Sequence, residues 1–381
     1  MKILTVGSIS KPTTINSTGG VEVWTASFLK ESIKYGHTYD VISLDGSMEV
    51  PGKIKIIHLF DQGIDDLKKL DFFSQTQRED PVGHLFATYF SKILLYLKEN
   101  ENKYDLVLNS SGSPLIPINW GSFKKPLVTP VHFPATEPAI SFFNFFPVPP
   151  NIYYVFPSFF EYKRSTVIPQ NQKYYIPHGI DISKFDYLEN GGQNMLWYGR
   201  IDPGLPKGAE ETISVANITH NKVDMYAYIE NKQYFKSTIE PLLSSYVNFA
   251  LNGDRNAYFR NSKLFMFPLQ KGELFGLTML EAMATGTPVV AFARNASPYV
   301  VKDGETGLLV NPSKDEKNGN WIIKKTGIEG LCEAVKHIYA LPEKQYKNMR
   351  KACRMHVEKT FTVETMVNKY EKILQSIALH K

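Results

Sequence analysis

Glu273-Leu274-Phe275-Gly276-Leu277-Thr278-Met279-Leu280-Glu281 runs directly into Ala282-Met283-Ala284-Thr285-Gly286-Thr287-Pro288-Val289-Val290. Gly276 marks the point where a loop turns into a helix, and Val289 to Phe292 reads as the strand that follows the helix. A helix start leaves backbone N–H groups unpaired at the positive end of its dipole, which suits a phosphate. Carboxylates accept hydrogen bonds from hydroxyls, which suits sugars. Glu273 and Glu281, on either side of this turn, carry the chemistry to grip a phosphorylated sugar at both ends.

Outward from this segment the same alternation of strand and helix continues. Met195-Leu196-Trp197-Tyr198-Gly199-Arg200 reads as a first strand, and helix 208–217, strand 223–229, helix 233–243 and strands 247–250 and 263–267 follow. The polar, Gly-containing run Glu189 to Gln193 precedes it as a linker. The N-terminal half shows its own series. Residues 2–7 form a buried strand, Ser8 to Gly20 a polar loop, and Val21 to Tyr35 a helix with Ala26, Leu29 and Ile33 on one face. Gly36 stops that helix. Val41 to Leu44, a helix over 84–98, and the strands Leu106 to Leu108 and Leu127 to Val131 complete the series. A last helix starts near Val363, capped by Thr362, with Met366, Tyr370, Ile373 and Leu374 as its apolar stripe. Strands alternating with helices argue for doubly wound parallel sheets. At 381 residues the chain exceeds the span of one hydrophobic core, about 250–300 residues, so two domains are expected. The expected boundaries are 1–185, 193–360 and a terminal segment 361–381.

Composition excludes several classes. Net charge is +5 with 21% charged residues, and no dense Lys/Arg run demands nucleic acid. Two cysteines, Cys332 and Cys353, form neither a disulfide framework nor a zinc site. The start is too short an apolar run for a signal peptide. The closest approach to a membrane span, 138–160, is broken by Pro147, Pro149, Pro150 and Pro157. A cytoplasmic protein is expected, in peripheral contact with the inner face of a membrane at most. The proline- and aromatic-rich stretch 126–160 cannot be a continuous helix. It reads as an irregular packed connection, or as a surface for acceptor or membrane through its Phe and Tyr side chains. There is no Walker loop, no His-x-x-x-His pattern and no Gly-x-Ser-x-Gly elbow. The first loop lacks Gly-x-Gly-x-x-Gly, which argues against a dehydrogenase.

With its flanks, the two-glutamate segment resembles the glutamate–seven–glutamate signature of the retaining glycosyltransferases of family 4, which have the GT-B fold of two Rossmann-like domains facing across a cleft. Gly199-Arg200 and Lys207-Gly208 resemble the Gly-Arg…Lys-Gly element that opens the second domain in that family, here expanded by Pro203-Gly204-Leu205-Pro206. Gly19-Gly20-Val21-Glu22 resembles the family's N-terminal Gly-Gly loop. His132, at the end of a strand, matches a family histidine near the donor sugar. Tyr175-Ile176-Pro177-His178-Gly179-Ile180-Asp181 is similar to the segment before the interdomain linker, with His178 in place of the usual Asn. Phe249 to Gly253 is similar to the strand and loop that meet the nucleotide base.

The resemblance implies a hexosyltransferase of polysaccharide or glycoconjugate biosynthesis. It would move sugar from a nucleoside diphosphate sugar to a glycan, glycolipid or small hydroxyl acceptor, with retention of configuration. No metal or other cofactor is expected, and UDP is favoured over GDP. In that reading Arg200 and Lys207 stabilise the departing diphosphate. Glu273 binds sugar hydroxyls, Glu281 the ribose, and His132 the donor sugar. Gly19, Gly20, Asn252, Phe275, Gly276, Leu277 and Thr278 contact the donor. The terminal helix packs back on the first domain. Two rivals stand beside it: a sugar-nucleotide epimerase or hydrolase on the same fold, and a non-catalytic nucleotide- or carbohydrate-binding relative.

Overall fold

The computed structural model describes residues 1–17, 19–67, 81–132, 142–204, 206–251, 254–271 and 273–379. The chain divides into two compact units, Met1–Pro177 with Met366–Lys381, and His178–Thr365.

Short apolar runs, most fully buried in the central strands, build the first unit's sheet. They are β1 (Lys2–Val6), β2 (Thr38–Ile42), β3 (Ile54–Ile57), β4 (Leu106–Asn109), β5 (Leu127–Pro130), β6 (Ile152–Phe156) and β7 (Lys173–Tyr175), in the order β3-β2-β1-β4-β5-β6-β7. Every pairing is parallel. Strands of this kind are covered by helices on both faces, so they lack the polar–apolar alternation of a half-exposed sheet. Helix α1 (Gly20–Ser32) buries Trp24, Phe28 and Leu29, and α2 (Pro81–Asn100) buries Phe90, Ile93 and Leu97. The C-terminal helix (Val363–Leu379) contributes Met366, Tyr370 and Leu374. Tyr370 packs against Trp24 and Phe28, and Glu371 pairs with the buried His37 at 2.7 Å. Thr362 caps the helix, its Oγ1 accepting from Thr365 N.

Three strands of this sheet, β3, β6 and β7, went unseen in the sequence. Within 126–160, read as an irregular connection, Ile152 to Phe156 forms the interior strand β6. The prolines at 149, 150 and 157 sit outside it, so they forbid a helix without interrupting the strand. In the aromatic segment ahead of it Phe143 is buried, whereas Phe145 and Phe146 are exposed. Residues 133–141, part of the same segment, lie outside the described residues. No helix among the described residues is long and apolar enough to cross a membrane.

The second unit carries β8 (Met195–Ile201), β9 (Val223–Ile229), β10 (Val247–Leu251), β11 (Leu264–Phe267), β12 (Val289–Phe292) and β13 (Gly307–Val310), all parallel in the order β10-β9-β8-β11-β12-β13. Helices α3 (Ala209–Thr219), α4 (Arg255–Arg260), α5 (Leu277–Ala284), α6 (Gly327–Ala340) and α7 (Glu343–Thr360) flank it. Apolar clusters fill both faces, one around Trp197, Ile213 and Leu331, the other around Phe259, Phe265 and Met283.

The helix expected over 233–243 is broken into a single turn at Lys232–Tyr234, a π-turn at Phe235–Ile239 and a 3₁₀ turn at Glu240–Leu242. Pro241 cannot donate the i→i−4 bond that would continue it. Residues 178–185, which the sequence reading gave to the first domain, group with the second unit. Ile180 N donates to Phe361 O at 2.9 Å and Val363 N to Ile180 O at 3.1 Å, which ties this segment to the end of α7.

Candidate functional site

In the second sheet the strand order reverses between β8 and β11. Open α/β sheets bind ligands outside the carboxyl ends of their strands at such a point. The residues that follow β8 and β11 meet there.

Each of these strands leads through a loop into a helix preceded by a left-handed glycine. Gly208, with φ +81°, precedes α3, and Gly276, with φ +85°, precedes α5. Neither helix has a side-chain cap, so backbone N–H groups face outward at two positive helix ends. A Cβ on Gly208 would lie 2.3 Å from Pro268 O, so the β8–α3 loop runs directly against the residue after β11. Gln270 N donates to Pro206 O at 3.3 Å, joining the same two loops.

The charged side chains gather around this junction. Lys207 Nζ pairs with the Glu273 carboxylate, both only about a quarter exposed. Trp197 Nε1 holds the Lys207 carbonyl at 3.1 Å. Asn295, itself left-handed with φ +51°, donates from Nδ2 to Glu273 O at 3.0 Å. Arg200 lies with Nε 3.7 Å from Asp202 Oδ2. A cavity of about 180 Å³ is lined by Arg200, Asp202, Lys207, Gly208, Glu211 and Gln270. Burial pushes the Glu211 carboxyl above its usual range. Arg294 forks onto Glu316 at 2.8 and 2.5 Å and donates to Gln270, which ties the cavity wall to the loop after β13.

Within α5 and the turn before it, the residues divide by exposure. Phe275 is buried edge-on against His178 and near Phe361, leaving the turn's backbone as its contribution. Leu277 and Thr278 are half-buried. Glu281 is 8% exposed, and its Oε1 accepts from Arg255 Nη1 at 2.9 Å. Its Oε2 is buried with no hydrogen-bond partner among the described residues. Burial raises the Glu281 pKa, and the Arg255 guanidinium pulls it back down. Asn252, expected at the base, lies outside the described residues.

In the first unit the strand order reverses between β1 and β4. Gly19 and Gly20 open α1, which also lacks a side-chain cap. The Glu22 carboxylate folds back under Gly19 and accepts from Ser8 Oγ at 2.5 Å. A Cβ on Gly19 would fall 1.9 Å from Glu22 Oε2, so glycine there makes room for the buried carboxylate. His132 follows β5 and packs edge-on against Trp24 of α1, with ring centroids 4.9 Å apart. Burial pushes its pKa down to about 4, so at neutral pH it is an uncharged imidazole.

Of the expected residues, Arg200, Lys207, Glu273, Gly276 and Glu281 therefore stand in one unit at one switch point, and Gly19, Gly20 and His132 in the other. Sequence reasoning missed Arg255, Arg294 and Asn295. Asp254 gave a signal for the first, because it caps α4 by accepting from Asn256 N and Ala257 N and thereby fixes where Arg255 begins.

Residues 193–339 match the model of the family described as glycosyl transferases group 1. The phosphatidyl-myo-inositol mannosyltransferase of Mycobacterium tuberculosis is 27% identical over 156 residues, 35% of this chain and 39% of that protein. The chain spans less than half the length of the curated relatives it matches. Sucrose-phosphate synthase from Thermosynechococcus elongatus superposes with a TM-score of 0.75 at 17% identity, covering 100% of both chains. The Anabaena protein HepE, solved in complex with UDP-glucose, gives 0.68 at 15% identity over 99% of this chain and 100% of that one. The fold is GT-B: two parallel-sheet α/β domains, of seven and six strands among the described residues.

Proposed function

We propose that the chain is a glycosyltransferase that moves a sugar from a nucleoside diphosphate sugar, UDP by preference, to a hydroxyl of a glycan or glycolipid, with retention of configuration and without a metal. The observation that carries this reading is the junction in the second unit. Two uncapped helix starts, Arg200 and Lys207 supply positive charge for a diphosphate, beside two carboxylates suited to hydroxyls. The group 1 match over 193–339 and the UDP-glucose bound by a GT-B neighbour support it.

The chemistry assigned to the residues follows their charge. The bond from the anomeric carbon to the diphosphate oxygen breaks, and the acceptor oxygen bonds to that carbon on the same face. The acceptor proton passes to the departing diphosphate oxygen. Lys207 and Arg200 neutralise the charge that develops there, where preorganised donors contribute most. Glu273 already holds Lys207 and takes a sugar hydroxyl; Glu281 takes the ribose. Neutral His132 can donate to and accept from hydroxyls but offers no cationic charge. The exposed Phe145 and Phe146 are assigned to acceptor or membrane contact.

The test is thermal unfolding with a panel of nucleoside diphosphates and their sugars, followed by product analysis with and without acceptors. A ligand at 100 times its Kd stabilises by about 2.7 kcal/mol, a rise of roughly 5–10 °C for a unit of this size. The reading expects UDP compounds to raise the midpoint, and NMR of the product to show the donor's anomeric configuration. No shift with any nucleotide would refute donor binding. Turnover of the donor without acceptor would point instead to a hydrolase or epimerase.

A further inference from the structure

Glu281 is held at one oxygen and buried without a partner, among the described residues, at the other. Oε1 accepts from Arg255, while Oε2 is shielded from solvent with no hydrogen-bond partner among the described residues. A carboxylate that has lost its water keeps its charge only through the groups that replace it. Around α5 the cations are differently engaged. Arg350 and Arg354, from α7, bond the carbonyls of Thr285 and Ala284 at the far end of the helix. Lys207 pairs with Glu273 ahead of it. Among the described residues Arg255 is the cation bonded to Glu281.

Arg255 is itself placed from two sides. Asp254 caps α4 and sets the position of its first residue, and the guanidinium lies over the Tyr198 ring at 5.3 Å from the centroid. Tyr198 belongs to β8, the strand that also carries Arg200. The β8 strand, α4 and α5 thus meet at one carboxylate.

We propose that Arg255 is a positioning residue for the donor nucleotide: it keeps Glu281 ionised and turned so that Oε2 is free to accept a hydrogen bond from a ligand hydroxyl. The inference rests on the nucleotide-sugar reading above. Without Arg255, burial acts on Glu281 unopposed and its proton stays on to higher pH. A neutral carboxyl accepts more weakly, because hydrogen bonds to an ionised acceptor are about twice as strong.

The experiment is titration of UDP into wild type, Arg255→Met and Arg255→Lys from pH 6 to 9. Affinity for the wild type falls as pH drops through the Glu281 pKa. In Arg255→Met the fall begins at higher pH, giving about tenfold weaker binding at the acid end of the range and a narrowing gap toward the alkaline end. Arg255→Lys restores the wild-type profile in part. Thermal unfolding without nucleotide separates misfolding from this effect. Superimposable pH profiles for wild type and Arg255→Met, or a loss equal at every pH, overturn the role given to Arg255 while leaving the donor reading intact. Failure of the wild type to bind any nucleotide overturns both.

Discussion

Replacing Arg350 by Met should destabilise the second unit more than any surface change, although Arg350 touches no carboxylate. The side chain is fully buried on α7. Its Nε donates to Leu188 O at 2.8 Å, Nη1 to Ser262 O at 3.0 Å, and Nη2 to Arg260 O at 3.1 Å and Thr285 O at 3.2 Å. Nη1 also reaches Thr287 Oγ1 and Tyr346 OH. Arg260 ends α4 and Thr285 caps the end of α5, so the cation sits at the negative ends of the two helices that carry Arg255 and Glu281.

Each acceptor left buried and unpaired costs about 1–3 kcal/mol; the carbonyls of Leu188, Ser262 and Arg260 lose their donor, while Thr285 O keeps the one from Leu188 N. Against this, removing a buried cation removes its desolvation penalty. Apolar replacement of a buried ionic network can be neutral when every polar partner is replaced together, but backbone carbonyls cannot be substituted away. The net loss should therefore be about 3–5 kcal/mol, a fall in midpoint of about 6–20 °C for a unit of this size. Differential scanning calorimetry measures it. Arg350→Lys, with three donors on a single nitrogen, should fall between wild type and Arg350→Met. A loss under about 2 °C for Arg350→Met would show that the carbonyls find other partners and that the guanidinium is not what joins the helix ends.

Lys207→Ala should lower kcat by ~100-fold through lost charge stabilisation of the leaving diphosphate, read from initial rates at saturating donor. Its melting midpoint should move little, because the Lys207–Glu273 pair is partly exposed and such pairs contribute about 0–1 kcal/mol; near-normal turnover would remove Lys207 from the mechanism. Gly276→Ala places a methyl in left-handed backbone, costing about 1–2 kcal/mol, and brings Cβ to 2.7 Å from Met279 Cε and 3.0 Å from Phe267 Cζ. It should lower the melting midpoint and weaken UDP binding together, since the turn that strains is the one whose N–H groups are proposed to meet the ligand. Unchanged UDP affinity would separate the turn from the nucleotide.

The physical reach of each signal explains what was legible in the sequence. The segment from Glu273 to Glu281 carried its own glycine, helix and following strand within twenty residues, so local chemistry was enough to place it. The strand β6 was hidden because the proline density around it spoke only against helix, and β7, a half-buried edge strand of three residues, carries no apolar run. Arg255 was hidden by distance in the chain. Its partner Glu281 is 26 residues on, and between them run β11, the β11–α5 loop and half of α5. An arginine on a short helix reads as solvated surface until the fold turns one of its nitrogens onto a buried carboxylate. The residues proposed to meet the ligand fall at local turns and can be read from spacing. Those that set the charge and aim of the first group are chosen by tertiary distance, and for Glu281 that choice sets how strongly a buried carboxyl can accept.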